Sequence, residues 1–165
     1  MDDLFNKIEN EVKELTQAVI DKSPEFYIDL PKTDAVDYTA GDLSDYVART
    51  SNAFIRAARF AGMAGAMHKR AAGRYNQKFK TSRTGNNADA RDKSAFEATK
   101  EEHKALMQAE SILELARSLE SACRLASESA RKIFDKVQAV EMGQRRLDTG
   151  TSTDDRQRSK IEYSY

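Results

Sequence analysis

Basic and aromatic side chains interleave over residues 72–85, which read AGRYNQKFKTSRTG. The cations are Arg74, Lys78, Lys80 and Arg83, and the rings are Tyr75 and Phe79. Lysine and arginine neutralise the phosphates of a nucleic-acid backbone, and aromatic rings stack on unpaired bases. The stretch therefore predicts binding of a single-stranded nucleic acid, with the two rings as candidate stacking residues. Their helical spacing also fits a packing seam, so a place in a core is the alternative.

The cations continue well beyond this stretch. Residues 46–88 contain nine Lys or Arg and no Asp or Glu, although the whole chain has 27 residues of each sign and no net charge. Such segregation favours a negatively charged partner. The candidate binding residues are Arg56, Arg59, Lys69, Arg70, Arg74, Lys78, Lys80 and Arg83. The alternative is a basic face neutralised by acidic parts of the same protein or of a sister subunit.

No residue set suited to catalysis accompanies the basic segment. His68 and His103 have no Cys or carboxylate at metal-ligand spacing. We expect His68 to pack in a helix seam and His103 to be exposed, and Cys123 to be a small buried hydrophobe. The sequence contains neither a P-loop nor a nucleophile elbow. We therefore predict that the protein is not an enzyme and uses no metal and no cofactor.

The composition predicts an all-α fold, because Gly (7) and Pro (2) are scarce and 33% of the residues are charged. Three–four spacing of apolar residues predicts a long antiparallel helical hairpin, at about 44–81 and 89–144, after an amphipathic helix at 1–22. An acidic irregular segment at 23–43 completes a single domain of residues 1–147, and 148–165 is a disordered tail. The apolar content is modest and rich in alanine, so we expect a coiled-coil-like homo-oligomer to complete the core.

The spacing also predicts how the central helix is oriented. Its expected seam includes Ser51, Phe54, Ala58, Ala61 and Gly65. This register leaves Phe60, Met63 and Met67 as a second apolar strip, which suits either a further helix or a binding surface. Asp42 or Ser44 is the expected N-cap of the helix.

The chain has no apolar run of the roughly 20 residues that a membrane-spanning helix needs. Its acidic first residues lack the apolar region of a secretory signal, and a single cysteine suits a reducing compartment. We expect a cytoplasmic protein without membrane contact, in the host cytoplasm if a phage encodes it.

Several segments resemble the phage recombination-mediator proteins of the UvsY type. They are the basic–aromatic run RYNQKFK at 74–80, Gly85 in the following loop, RDKS at 91–94, and SARKIFDKVQAVEMG at 129–143. The resemblance spans residues 74–143 and leaves the acidic segment 24–45 and the end of the chain unaccounted for.

The resemblance implies an all-helical protein that forms ring-like homo-oligomers and binds single-stranded DNA without sequence preference. Members of that family help a RecA-like recombinase load onto strands covered by single-strand-binding protein. By position, their DNA contacts fall here on Lys69, Arg70, Arg74, Lys78, Lys80 and Arg83.

Two other functions suit the same charge pattern. A helical protein–protein adaptor or inhibitor would dock its basic helix on an acidic protein surface. A structural phage oligomer would instead set that helix against the acidic N-terminal region of a sister subunit, since residues 1–45 carry 12 acidic and 4 basic residues.

Overall fold

A computed structural model of the chain describes the backbone of residues 2–28 and 38–161, and the side chains of residues 6–28 and 38–145. The described backbone contains four helices and no strand: α1 (Asp2–Ile20), α2 (Ala40–Thr81), α3 (Ala88–Ala98) and α4 (Lys100–Ile161). The all-α prediction is confirmed. None of these helices is apolar over a length that would cross a membrane, within the described part of the chain.

Helices α2 and α4 form an antiparallel hairpin, the most extensive contact between elements. At one end the Ala40 N–H donates to Glu141 Oε1 at 2.8 Å. Further along α2 the hydroxyls of Ser51 and Ser127 lie 3.3 Å apart. Near the other end of α2, Lys78 Nζ lies 2.6 Å from Glu102 Oε1. The two arms of the predicted hairpin therefore pair along the whole of α2, which is about 60 Å long at 1.5 Å per residue.

The buried seam of α2 lies one residue away from the predicted one. Its buried residues include Thr50, Ala53, Ala57, Phe60 and Ala64, whereas Ser51, Phe54, Ala58, Ala61 and Gly65 are only half-buried. The predicted seam is therefore wrong by one position along the helix. Both registers are rich in small residues, so spacing alone does not separate them. Burial of the large Phe60 side chain, which has no exposed surface, favours the observed register.

Helix α1 packs on the hairpin and converts its middle into a three-helix core. Val12 and Val19 are buried in that core with Phe60 and Leu119. Met63 and Met67 pack against it, so the second apolar strip of α2 serves a helix contact. α1 is the expected N-terminal amphipathic helix.

The end of α1 directs the following segment back onto α2. Lys22 has a left-handed backbone with φ of 51°, and the Ser23 N–H donates to the Ala18 carbonyl oxygen at 2.9 Å. This pair of features forms a Schellman-type C-cap. Phe26 then enters the core with 5% of its surface exposed, which brings Glu25 beside α2. Residues 29–37 of the predicted acidic segment lie outside the described residues.

Helix α2 begins earlier than predicted. Its N-cap is Thr39, whose hydroxyl accepts from the Asp42 N–H while the Asp42 carboxylate accepts from the Thr39 N–H at 3.1 Å. The prediction of Asp42 or Ser44 as the N-cap, with helix from 44, is wrong because Asp42 serves as the third helical residue of this capping box.

The predicted single helix over 89–144 is broken at Thr99. The Thr99 hydroxyl donates to the Ala95 carbonyl oxygen at 2.8 Å inside the protein, a local bond that competes with regular helix geometry. The helix end expected at 144 is also corrected, since α4 continues to Ile161. Helix-favouring residues at 144–147 let α4 pass Gly143. The disordered tail expected at 148–165 stays a prediction.

Candidate nucleic-acid interface

Six cations of α2 lie along one flank of the helix, and we call them the basic stripe: Arg49, Arg56, Arg59, Arg70, Arg74 and Lys78. Their spacings of three, four, seven and eleven residues return to one side of an α-helix. Because the seam is shifted from the predicted register, the stripe borders the face on which α1 packs rather than the far side of the helix. Lys69 and Lys80 fall on the other flank of α2 at 100° per residue.

Two arginines of the stripe are held by acidic residues from the N-terminal region. Arg59 Nη2 lies 2.7 Å from Glu11 Oε1 on α1. Arg56 forms an ion pair with Glu25, in the segment that follows α1. Both arginine side chains remain more than half exposed, at 67% and 55%. Carboxylates from the same chain therefore neutralise the middle of the stripe.

Acidic residues near the hairpin tip hold two further candidate cations. Lys78 Nζ donates to Glu102 Oε1 at 2.6 Å, and this bond holds the pKa of Glu102 below its ordinary value. Arg83, in the loop after α2, pairs with Asp92 of α3 at 2.6 Å. Among the described residues, at least four of the eight predicted binding residues thus have a carboxylate partner, as the self-neutralisation alternative expects.

The other candidate cations differ in their surroundings. Arg49, Lys69, Arg74 and Lys80 are exposed and make no ion pair or hydrogen bond within the described part of the chain. Arg70 is half-buried and does have an interaction partner. Of the stripe, Arg49 and Arg74 are therefore available to an anion without breaking a bond to any described residue. Arg49 is not among the binding residues predicted from the sequence and joins the stripe only once the seam is known.

A cleft of about 870 Å³ opens beside the second half of the stripe, between α1, α2 and α4. Arg70, Arg74 and Lys78 line one wall, and the apolar lining includes Met67 and Ile112. The carboxylates of Glu9, Glu101 and Glu102 line the cleft as well. The cleft offers cations beside an apolar surface, and its acidic lining lowers the net positive charge.

The predicted stacking rings belong to a row of aromatic side chains near the hairpin tip. The ring centroids of Tyr75 and Phe79 are 5.8 Å apart, and those of Tyr75 and His103 are 5.5 Å apart. Phe96 of α3 extends the row, 6.1 Å from His103. Tyr75 and Phe79 are half-buried, which favours the packing alternative, whereas Phe96 is 51% exposed. His103 is half-buried rather than exposed, because this row encloses it.

The side chains that the sequence assigned to packing are buried to different extents. Cys123 is 3% exposed, as predicted, and burial raises the pKa of its thiol. His68 is half-buried on α2. Among the described residues, no three His, Cys, Asp or Glu side chains are grouped as metal ligands would be.

Comparisons with known proteins leave the family of this chain open. No protein-family model matches it, and neither a curated protein nor a solved structure does. The resemblance to the recombination mediators therefore stays a prediction from the sequence segments.

Proposed function

We propose that the protein is a non-catalytic accessory protein that binds single-stranded DNA along α2. The resemblance to the recombination mediators suggests its role, which is to help a RecA-like recombinase load onto strands covered by single-strand-binding protein. A homo-oligomer in the cytoplasm would present several copies of the same surface, and this array would raise avidity through effective concentration.

The observation that carries this proposal is the basic stripe itself. It runs for 30 residues of one helix, from Arg49 to Lys78, within a segment that has no acidic residue. At 1.5 Å per residue the stripe is about 45 Å long, a length that suits a polymer of phosphates better than a small anion. Arg49 and Arg74, near its two ends, are exposed and unpaired among the described residues.

Binding of this kind depends on phosphates rather than on base identity. Each cation that neutralises a phosphate releases bound counterions, so affinity falls as salt rises, with a slope of about −0.7 per phosphate on single strands. The exposed ring of Phe96 supports a single-strand preference, because unpaired bases can stack on an aromatic surface.

The direct test is fluorescence anisotropy of a labelled single-stranded oligonucleotide, titrated with the protein at several salt concentrations. We expect binding with a steep negative salt slope and weaker binding of duplex DNA. Arg49→Ala with Arg74→Ala should weaken binding and make the slope less steep by about 0.7 per lost phosphate contact.

Two control pairs make the test specific. Lys69→Ala with Lys80→Ala removes the same charge from the other flank of α2, and a smaller effect there would support the stripe as the binding flank. Arg117→Ala with Lys132→Ala removes exposed cations of α4, and binding should stay near that of the parent. Absence of binding at low salt would overturn the proposal.

A protein partner with an acidic surface is the second candidate function. The observation in its favour is that Glu11, Glu25 and Glu102 already occupy cations of the stripe. An adaptor, an inhibitor or a structural oligomer would use the same pairing between chains. Light scattering after gel filtration separates these cases, since Arg49→Ala with Arg74→Ala would then dissociate a complex or an oligomer.

A further inference from the structure

The N-terminal region carries more negative charge than the cations it touches require. Residues 2–25 contain seven acidic residues and three lysines. Two of these acids, Glu11 and Glu25, meet the stripe at Arg59 and Arg56. Acidic charge therefore lies against the stripe between Arg49 and Arg74, which have no ion-pair partner among the described residues.

These two contacts are electrostatic and open to solvent. Arg56 and Glu25 are 55% and 54% exposed, and Arg59 and Glu11 are 67% and 31% exposed. Exposed ion pairs of this kind contribute little to folding and weaken with salt. A polyanion that reaches the stripe can therefore replace each carboxylate with little loss in the free energy of unfolding.

A separate set of contacts keeps α1 in place. Val12 and Val19 lie in the three-helix core, and Ile8 and Leu15 pack against it. The apolar face of α1 thus faces the hairpin while Glu11 reaches the stripe. Removal of the acidic charges should leave α1 docked, which separates the electrostatic role of this region from its structural role.

We propose that Glu11 and Glu25 are built-in competitors of the nucleic acid, which occupy Arg59 and Arg56 and hold down the affinity of the stripe. This inference rests on the proposed function and adds its regulation. A strand that contacts Arg49 and Arg74 first would displace the two carboxylates and then engage the middle of the stripe. A partner that binds the acidic residues would have the same effect and would increase DNA affinity.

The test is Glu11→Gln with Glu25→Gln, measured by anisotropy with the same single-stranded oligonucleotide. Release of one arginine from an exposed ion pair should raise the DNA affinity by a factor of about 1.5 to 5. The double variant should therefore bind roughly 2- to 25-fold more tightly at low salt. Its salt slope should become more negative by about 0.7 for each released arginine that meets a phosphate.

The matched control is Glu14→Gln with Glu110→Gln, which changes the net charge by the same amount. Both residues are exposed and have no partner within the described residues. A gain equal to that of the control would overturn the competitor proposal and leave the proposed function standing. Adding Arg56→Ala and Arg59→Ala to the test variant should abolish the gain, and a gain that persists would equally count against it.

The outcomes also distinguish the two proposals. If the parent binds and the test variant binds no more tightly, the competitor proposal is overturned and the proposed function stands. Binding by the parent together with a gain in the test variant that exceeds the gain of the charge-matched control supports both proposals. If neither protein binds at low salt, both proposals are overturned. Circular dichroism and thermal melting of each variant check that α1 stays folded on the hairpin.

Discussion

Lys78 and Glu102 join the basic stripe to the start of α4, with Lys78 Nζ 2.6 Å from Glu102 Oε1. The side chains are 46% and 25% exposed, so the bond is partly shielded from water. It links the second half of α2 to α4 beside the cleft. It also means that Lys78, a predicted phosphate ligand, already has an anionic partner in the free protein.

The Lys78–Glu102 bond predicts a shift in the titration of one carboxyl group. The pKa of Glu102 is lowered chiefly by the hydrogen bond from Lys78. The bond therefore stabilises the folded state above the pKa of an unfolded glutamate, about 4.3. This stabilisation is lost as the pH falls through the lower pKa of Glu102 in the folded protein. Lys78→Met should raise the pKa of Glu102 toward the ordinary value in a carboxyl NMR titration.

A matched lysine makes that experiment specific. Lys104 is exposed, lies two residues from Glu102 and has no ion-pair or hydrogen-bond partner among the described residues. Lys104→Met should leave the titration midpoint of Glu102 nearly unchanged. An unchanged midpoint in Lys78→Met would contradict the bond.

The observed seam of α2 predicts unequal roles for two phenylalanines. Phe60 has no exposed surface, whereas Phe54 is half-buried. Phe60→Ala should lower the free energy of unfolding by about 3–5 kcal/mol, the usual cost of emptying a core phenylalanine site. Phe54→Ala should cost clearly less in the same urea titration. A larger loss in Phe54→Ala than in Phe60→Ala would support the register predicted from spacing.

The capping box at the start of α2 predicts a smaller, local effect. Thr39→Ala removes the oxygen that accepts from the Asp42 N–H, so it should cost about 1 kcal/mol in the free energy of unfolding. Thr39→Ser keeps that oxygen and should stay close to the parent. Equal losses in the two variants would argue against the cap.

The environment of Cys123 predicts slow thiol chemistry. Its Sγ lies 3.7 Å from the Phe26 carbonyl oxygen, to which it donates, and burial raises its pKa. Less thiolate is therefore present near neutral pH than for an exposed cysteine, and access is blocked. Labelling by a thiol reagent should be slow in the native protein and fast in urea. Fast native labelling would mean that the Phe26 segment leaves the core.

Much of the fold was predictable because helical patterns are local. Apolar spacing identified α1 and both arms of the hairpin, and the loop expected between the arms contains Gly85. The boundaries were less accurate. Thr39 replaced Asp42 as the cap, and Thr99 interrupts the second arm through a hydrogen bond to Ala95, because such details depend on single side-chain bonds.

The sequence predicted which basic residues form the candidate site, but not which residues surround them in the fold. The sequence identified the cations, but their partners lie 24 and 48 residues away for Lys78 and Arg59, so spacing does not reveal them. The row that joins Tyr75 to Phe96 through His103 likewise unites three helices. Phe96 was missed because a single phenylalanine in a polar helix carries no periodic signal.

Sequence alone determined the helical class, the hairpin and the segregation of basic charge, since each depends on local spacing and composition. Only the tertiary structure decided which flank of α2 is buried and which carboxylates meet its arginines. The physical reason is that a helix rich in small residues has two nearly equivalent faces. Burial of Phe60 between α1 and α4 selects one of them, and that choice brings Glu11 and Glu25 to the basic stripe.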